Sequence, residues 1–490
     1  MLNKMKYCLF ITVFVTGAAV LMLELLGTRI ISPFYGSSIY VWSSLISVTL
    51  VFLALGYFAG GKLADRRPRL TMLYLFILLT GLSVVLLSIV DSRVLSATDS
   101  LGPRWGALSS AFILFSLPMF FLGTITPYAI KVMAKDLKDI GVTSGNLYGV
   151  STVGSFAGAI LTGFILIPNF AVSMILNLIA LLLFAVVVMG FIGARKYYGL
   201  FCLPLLSVLL LPQPGLKLAG DAKVIYRTES LYGQIMVVDS ENLRFLLVNG
   251  ANQTWYKLDT GEFKAPYLRL MEKAVNYHPR AETALVLGLG GGGMDKRLRA
   301  RGLAVDNVEL DPKVVEVVRE YFGFDGSVVV DDARHYVRHT DKRYDLVAFD
   351  VLNGYSVVPH LLTKEAFGEI KAILSPKGIL TVNTLGFESR LSTEDPYEKA
   401  LYKTLTAVFP YVSVKTTGYE FQNFVFYCSD YPLTLDNQFV SIDIFPDEET
   451  PVFTDDYNPV ETLTTPHVEA FRKSIISWFG EAVLYIGRQQ

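Results

Sequence analysis

Six apolar runs crowd into the first 212 of the chain's 490 residues, each close to the roughly 20 residues that an α-helix needs to cross about 30 Å of hydrocarbon. They run from Tyr7 to Leu26, Tyr40 to Gly60, Thr71 to Val90, Gly106 to Ile130, Ser144 to Ile167 and Phe170 to Gly193. The first run lacks a small-residue cleavage site and further runs come after it, so it reads as a span rather than a removable signal. Basic residues set the orientation. Lys4 and Lys6 precede the first run, Lys62, Arg66, Arg67 and Arg69 follow the second, and Lys131, Lys135 and Lys138 follow the fourth. Loops on the opposite side carry few, which places the N-terminus in the cytoplasm. A shorter run, Tyr197 to Pro212, is interrupted by Pro204 and leaves six or seven spans open. If it spans, the charge rule puts the C-terminal half outside the cytoplasm; if not, inside.

Within these runs Glu24 is expensive unless it pairs or meets a polar cavity, and Arg29 is near enough in sequence to pair with it. Gly154 and Gly158 form a GxxxG pair that permits close helix contact. The loop Gly61-Lys-Leu-Ala-Asp65-Arg66-Arg67-Pro-Arg69 resembles the loop after the second helix of major facilitator transporters, which implies a cytoplasmic position; a basic cytoplasmic loop of no special kind explains it equally well.

Beyond Pro212 charged and apolar residues alternate as in a soluble domain. The organisation expected is a transmembrane domain over 1–212, a linker and small β region over 213–280, a doubly wound α/β domain of Rossmann-like, methyltransferase type over 281–430, and a C-terminal extension over 431–490. Short alternating runs at Lys223 to Arg227, Gln234 to Asp239 and Leu243 to Val248, the last closed by Asn249-Gly250, predict a small antiparallel sheet. A helix is expected from Glu262 to Tyr277. Strands are expected at Ala284 to Leu289, Val305 to Glu309, Val328 to Asp331, Leu346 to Asp350 and Ile379 to Thr384, with helical patterns between them, as in a parallel sheet. A net charge of −1 supplies no basic face for nucleic acid. Cys8, Cys202 and Cys428 are scattered without paired spacing, so neither disulfides nor a metal site is expected.

The chemistry gathers at the strand ends, where open α/β sheets bind ligands. Gly288-Leu-Gly290-Gly291-Gly292-Gly293 succeeds the first strand of that sheet and leads into a helix. Glu309, 21 residues after Gly288, closes the second strand, where a carboxylate accepts hydrogen bonds from ribose hydroxyls. Asp332 comes after the third strand and Asp350 ends the fourth. A glycine loop with three strand-end acids suits an adenosine carrying a cationic sulfonium and repels phosphate. As turn and capping residues the same positions would be unremarkable.

Val286 to Gly293, Val308-Glu309-Leu-Asp311, Asp332-Ala-Arg, Tyr344 to Asp350 and Leu361-Leu-Thr363-Lys-Glu365 resemble spermidine synthase and its relatives in order and spacing, as do Tyr232-Gly-Gln234-Ile and Asn249-Gly250-Ala-Asn-Gln253. The resemblance covers about residues 223 to 430. The whole chain looks like the membrane-fused branch of that family, through Leu23 to Arg29, Val358-Pro359-His360-Leu361 and Thr454 to Glu461. It implies binding of decarboxylated S-adenosylmethionine as co-substrate, or of S-adenosylmethionine, with no metal, and aminopropyl transfer to an amine in polyamine biosynthesis. Implied nucleoside-binding residues are Gly288, Gly290, Gly293, Glu309, Asp332 and Asp350, and Tyr232, Gln234, Gln253, Tyr267 and Tyr355 would line the second-substrate pocket. Departures fall on the amine side. Asn353 stands where the soluble enzymes carry their base, and Tyr267-Leu268-Arg269 replaces a Tyr-His-Glu run. Asp350, Tyr355 and His360 remain as acids or bases, so the catalytic set expected is Asp350, Asn353 and His360. Asp455 and Asp456 read as a site lid or as a solvated turn.

Three functions stay open: a membrane-bound aminopropyltransferase-like transferase, another S-adenosylmethionine-dependent enzyme such as a methyltransferase, and a transporter or sensor that binds nucleoside without catalysis. Expected partners are a small-molecule nucleoside and amine, the lipid bilayer and, as an option, a second copy of the chain, with no nucleic acid. The expected location is a cell membrane, with the α/β domain on the cytoplasmic side where S-adenosyl compounds are made.

Overall fold

A computed structural model of the chain describes residues 2–36, 38–134, 140–193, 218–352, 357–387, 392–417 and 421–484. The chain divides into a helical unit before residue 218 and an α/β unit over Leu218–Val483. The segment Tyr197 to Pro212, on which the choice between six and seven spans depends, lies outside the described residues.

The helical unit comprises α1 (Leu2–Tyr35), α2 (Ile39–Arg66), α3 (Leu70–Thr98), α4 (Gly102–Met133), α5 (Ile140–Ile160) and α6 (Val172–Gly193). Among the described residues five continuous stretches are long and apolar enough to cross a membrane. One of them, Leu70–Met133, has 64 residues, which at 1.5 Å per residue is about 96 Å of helix and far exceeds one bilayer. It is two rods folded back at Gly102, whose φ of 73° reverses the chain. The ends prove the hairpin. The Arg69 amide donates to the Tyr128 hydroxyl at 3.2 Å, that hydroxyl donates to the Arg67 carbonyl, and Lys131 pairs with Asp65 at 2.7 Å. The described stretches therefore supply six rods. Helix α5 continues through a π-helical turn, Leu161–Leu166, to Asn169. A Cβ at Gly154 or Gly158 would run into the Phe14 or Ala18 carbonyl of α1, and Ser155 donates to the Gly17 carbonyl at 2.9 Å, so the glycine pair allows α1 and α5 to touch backbone to backbone.

The α/β unit opens with a five-stranded antiparallel sheet in the order β1 (Lys223–Glu229), β2 (Gln234–Ser240), β3 (Leu243–Val248), β4 (Ala251–Lys257) and β5 (Glu262–Phe263). Asn249 and Gly250 both take positive φ, 50° and 78°, as the tight turn between β3 and β4 requires. The helix expected from Glu262 starts later. Residues 262 and 263 pair with β4, and α7 (Pro266–Glu272) begins at a proline, whose fixed φ suits a first turn.

The strands that follow are β6 (Thr283–Leu287), β7 (Ala304–Glu309), β8 (Val328–Val330), β9 (Tyr344–Phe349), β10 (Leu374–Phe387), β11 (Ser392–Thr393), β12 (Tyr411–Thr416), β13 (Phe421–Ser429), β14 (Val440–Ser441) and β15 (Asp443–Ile444); β11 and β15 form a separate pair, and the other eight make the second sheet. Its order is β14-β12-β13-β10-β9-β6-β7-β8, parallel from β10 to β8, with β13 antiparallel to β10. Helices α8 (Gly293–Ala300), α9 (Pro312–Phe322), α10 (Ala333–His339), α11 (Lys364–Ala372), α12 (Pro396–Thr406) and α13 (Thr465–Phe479) complete the unit. Period-two alternation builds two cores. Leu285, Leu287, Val347 and Phe349 pack with α10, α11 and α12, whereas Ala284, Val286, Leu346 and Ala348 pack with α7, α8 and α9. The sheet is therefore doubly wound, as its apolar strand runs predict.

Candidate functional site

A cleft of about 370 Å3 opens at the C-terminal ends of β9, β6, β7 and β8. Here the chain order reverses, with β7 and β8 on one side of β6 and β9 and β10 on the other. Gly288 and Gly290 form its floor, and both have positive φ, 90° and 51°. A side chain at Gly288 would collide with the Asp350 carbonyl of the neighbouring strand end. Gly293 sits behind this floor, where a Cβ would press on Leu268 and Phe263, so it supports the loop without lining the cleft.

Each acid has a distinct setting. Glu309 accepts from the Leu289 amide at 3.1 Å and the Asp311 amide at 2.9 Å, which ties the glycine loop to the end of β7. Burial pushes its pKa up, and those amides oppose the rise. Asp332 caps α10 by accepting from the Arg334 and His335 amides, at 2.9 and 3.0 Å, while its second oxygen lies 3.0 Å from His360 Nε2. Burial would raise it, but the His335 amide and His360 hold it below its ordinary value. Asp350 accepts from the Tyr267 hydroxyl at 2.9 Å and from Asn383 Nδ2 at 2.7 Å. It lines the cleft, and burial raises its pKa against both donors. Burial and the Asp350 charge raise Tyr267 well above its ordinary value.

Of the expected second-substrate residues, Tyr232, Gln253 and Tyr267 line the cleft. Gln234 is buried and does not line it, and its side chain donates to Glu229 at 2.8 Å. Asn353 and Tyr355 lie outside the described residues. His360 is at the cleft wall. Arg269 points away toward Glu262, at 3.4 Å, so it does not charge the amine side. Asp455 forms neither a lid nor a free turn. It makes a two-point ion pair with Arg334, which also grips Glu369 and donates to the His360 carbonyl at 3.0 Å.

Sequence reading missed Asn383 and Asn423, which carry a hydrogen-bond chain into Asp350, with Asn423 donating to Asn383 Oδ1 at 3.0 Å. A polar residue near the end of an apolar strand, as in Leu380-Thr-Val-Asn383-Thr, was the available signal. Trp255 and Phe471 also line the cleft. Away from it, Asp395, Glu398 and His467 bring ligand atoms within 4.8 Å of one another; Asp395 also caps α12.

The family described as "Spermine/spermidine synthase domain" matches residues 268–430. A polyamine aminopropyltransferase of Vibrio vulnificus is 30% identical over 209 residues, covering 39% of this chain and 67% of that protein. An N-terminal histidine N-methyltransferase of Emericella nidulans is 29% identical over 178 residues; the match spans 33% of this chain and only 31% of that protein's length. Among solved structures, a probable spermidine synthase from Corynebacterium glutamicum aligns with a TM-score of 0.41 at 17% identity, over 48% of this chain and 97% of that one.

Proposed function

Because the chain belongs, through its C-terminal half, to the spermine/spermidine synthase family, we propose that it binds decarboxylated S-adenosylmethionine and transfers the aminopropyl group to an amine. One observation carries this reading: Gly288, Glu309, Asp332 and Asp350, from four adjacent strand ends, face a single cleft. Glu309 would hold the ribose and Asp332 the adenine side. Asp350, past β6 on the other flank, would meet the sulfonium end and the incoming amine. The amine nitrogen attacks the methylene carbon bonded to sulfur, and the C–S bond breaks with its electrons left on sulfur. Methylthioadenosine departs and the product keeps its charge as a secondary ammonium; the proton leaves earlier, from the substrate ammonium, because only the neutral amine has a lone pair for the attack. Asp350 is the proton acceptor, since Asn353 has no basic group. Its raised pKa makes it a better base than an ordinary aspartate, and a rate limited by it falls as pH drops through that value.

Methyl transfer from S-adenosylmethionine is the second reading. The similarity to an N-methyltransferase favours it, and it uses the same nucleoside groups without a diamine site. Purified protein supplied with each nucleoside and an amine separates the two by mass spectrometry. Amine-dependent methylthioadenosine supports aminopropyl transfer, and S-adenosylhomocysteine supports methyl transfer. Binding without either product would sink both and leave a nucleoside-binding transporter or sensor. The α/β unit belongs, on this reading, on the cytoplasmic side of a cell membrane, where its nucleoside is made.

A further inference from the structure

The three polar side chains that run from Asn423 to Asp350 form a directed chain. Asn383 lies on β10 and Asn423 on β13, and the register pairs Leu385 with Asn423, so Asn423 is diagonal to Asn383 on the same face. Asn423 Nδ2 donates to Asn383 Oδ1 at 3.0 Å, and Asn383 Nδ2 donates to Asp350 Oδ1 at 2.7 Å. Asn383 is 4% exposed, so water does little to choose its orientation. We infer that Asn423 is a positioning residue, which holds the Asn383 amide with its N–H end toward Asp350 and so keeps a donor, not an acceptor, on that carboxylate. The inference rests on Asp350 being the base of the proposed transfer.

The physical argument turns on the flipped amide. A protonated Asp350 would gain from a carbonyl that accepts its O–H, which Asn383 offers only after turning over. Turned over, its N–H2 group would face the N–H2 of Asn423, two donors with no acceptor between them. Asn423 therefore penalises the protonated acid and keeps the base available. Among the described residues that line the cleft, the other titratable groups are Tyr267, bonded to Asp350 at 2.9 Å, and Tyr232, Glu309, Asp311, Asp331, Asp332 and His360, contributed by the walls and the strand ends beyond β6.

The test titrates Asp350 in full-length protein by its infrared carboxyl band, assigned from its loss in Asp350→Asn. Asn423→Leu should move the midpoint up by about one pH unit, the worth of one ordinary hydrogen bond to the acid form. Asn423→Asp, which keeps the shape, should move it at least as far, because an ionised carboxylate draws the Asn383 donors to itself. Asn383→Leu should also raise the midpoint, and adding Asn423→Leu to it should change nothing more, since no amide remains to orient. An unmoved midpoint in both Asn423 variants, or additive shifts in the double variant, overturns the inference. The acid limb of kcat/KM should shift with the infrared midpoint. If wild-type protein releases no methylthioadenosine with any amine, the transfer reading fails, while the infrared series still decides whether Asn423 orients Asn383.

Discussion

Glu309 can support both the glycine loop and the ribose of a bound nucleoside, because one carboxylate can accept from backbone amides and still offer lone pairs to the cleft. Glu309→Gln replaces one oxygen by a donor, which then faces the Leu289 or Asp311 amide with no acceptor between them. Affinity for either S-adenosyl nucleoside should fall about tenfold or more, the consequence of losing a charge-assisted hydrogen bond. Isothermal titration of variant and wild type measures it, and equal affinities would remove Glu309 from the site. Asp332 differs in kind. One of its oxygens already serves the α10 cap and the other meets His360, so a ligand must compete with an imidazole there.

A C-terminal strap fixes the loop that bears His360. The Lys364 amide donates to the Phe453 carbonyl at 2.8 Å, Asn458 donates to the Pro359 carbonyl at 2.7 Å, and Asp455 pairs with Arg334 and accepts from Thr363. Arg334 holds the Asp455 carboxyl down to about 2, from 3.8. A depressed acid stabilises the fold above its unfolded value and loses that contribution as pH falls through the folded one. Asp455→Asn should therefore cost about 1 kcal/mol at neutral pH, a modest figure because the carboxylate is 43% exposed and solvent screens the pair. The deficit should vanish between about pH 4 and pH 2 in acid-unfolding curves, and a deficit that persists below pH 2 would locate the effect elsewhere. The strap was illegible in sequence because Arg334 and Asp455 lie 121 positions apart. The strand ends were legible, since each motif residue is local to its own turn. Asn383 and Asn423 fell between these cases: both stand in strands, but only the antiparallel return of β13 onto β10 makes them neighbours.

At the scale of the molecule, helical continuity alone is ambiguous, because the two apolar runs expected at Thr71 to Val90 and Gly106 to Ile130 lie in one unbroken helical stretch, Leu70–Met133, that contact resolves into two rods. The distinction inverts the topology. Were it a single span, Asp65 and Lys131 would lie on opposite faces of the bilayer; their 2.7 Å ion pair puts them on one. That face gathers Lys62, Arg66, Arg67, Arg69 and Lys131, so the packing collects at one end the loops that the charge rule expects in the cytoplasm. Six rods also return residue 193 to the face of the N-terminus. Single cysteines, introduced in a background lacking Cys8, Cys202 and Cys428, should therefore react differently with an impermeant maleimide in intact cells. Ser100→Cys, at the α3–α4 turn, should label from outside, whereas Arg67→Cys and Ala134→Cys should label only after the membrane is opened. Labelling of positions 67 and 134 on opposite faces would refute the hairpin. If a cysteine at Ser240, in the α/β unit, is also protected until the membrane is opened, the nucleoside site shares its compartment with the enzymes that make S-adenosyl compounds and needs no transport step to receive them.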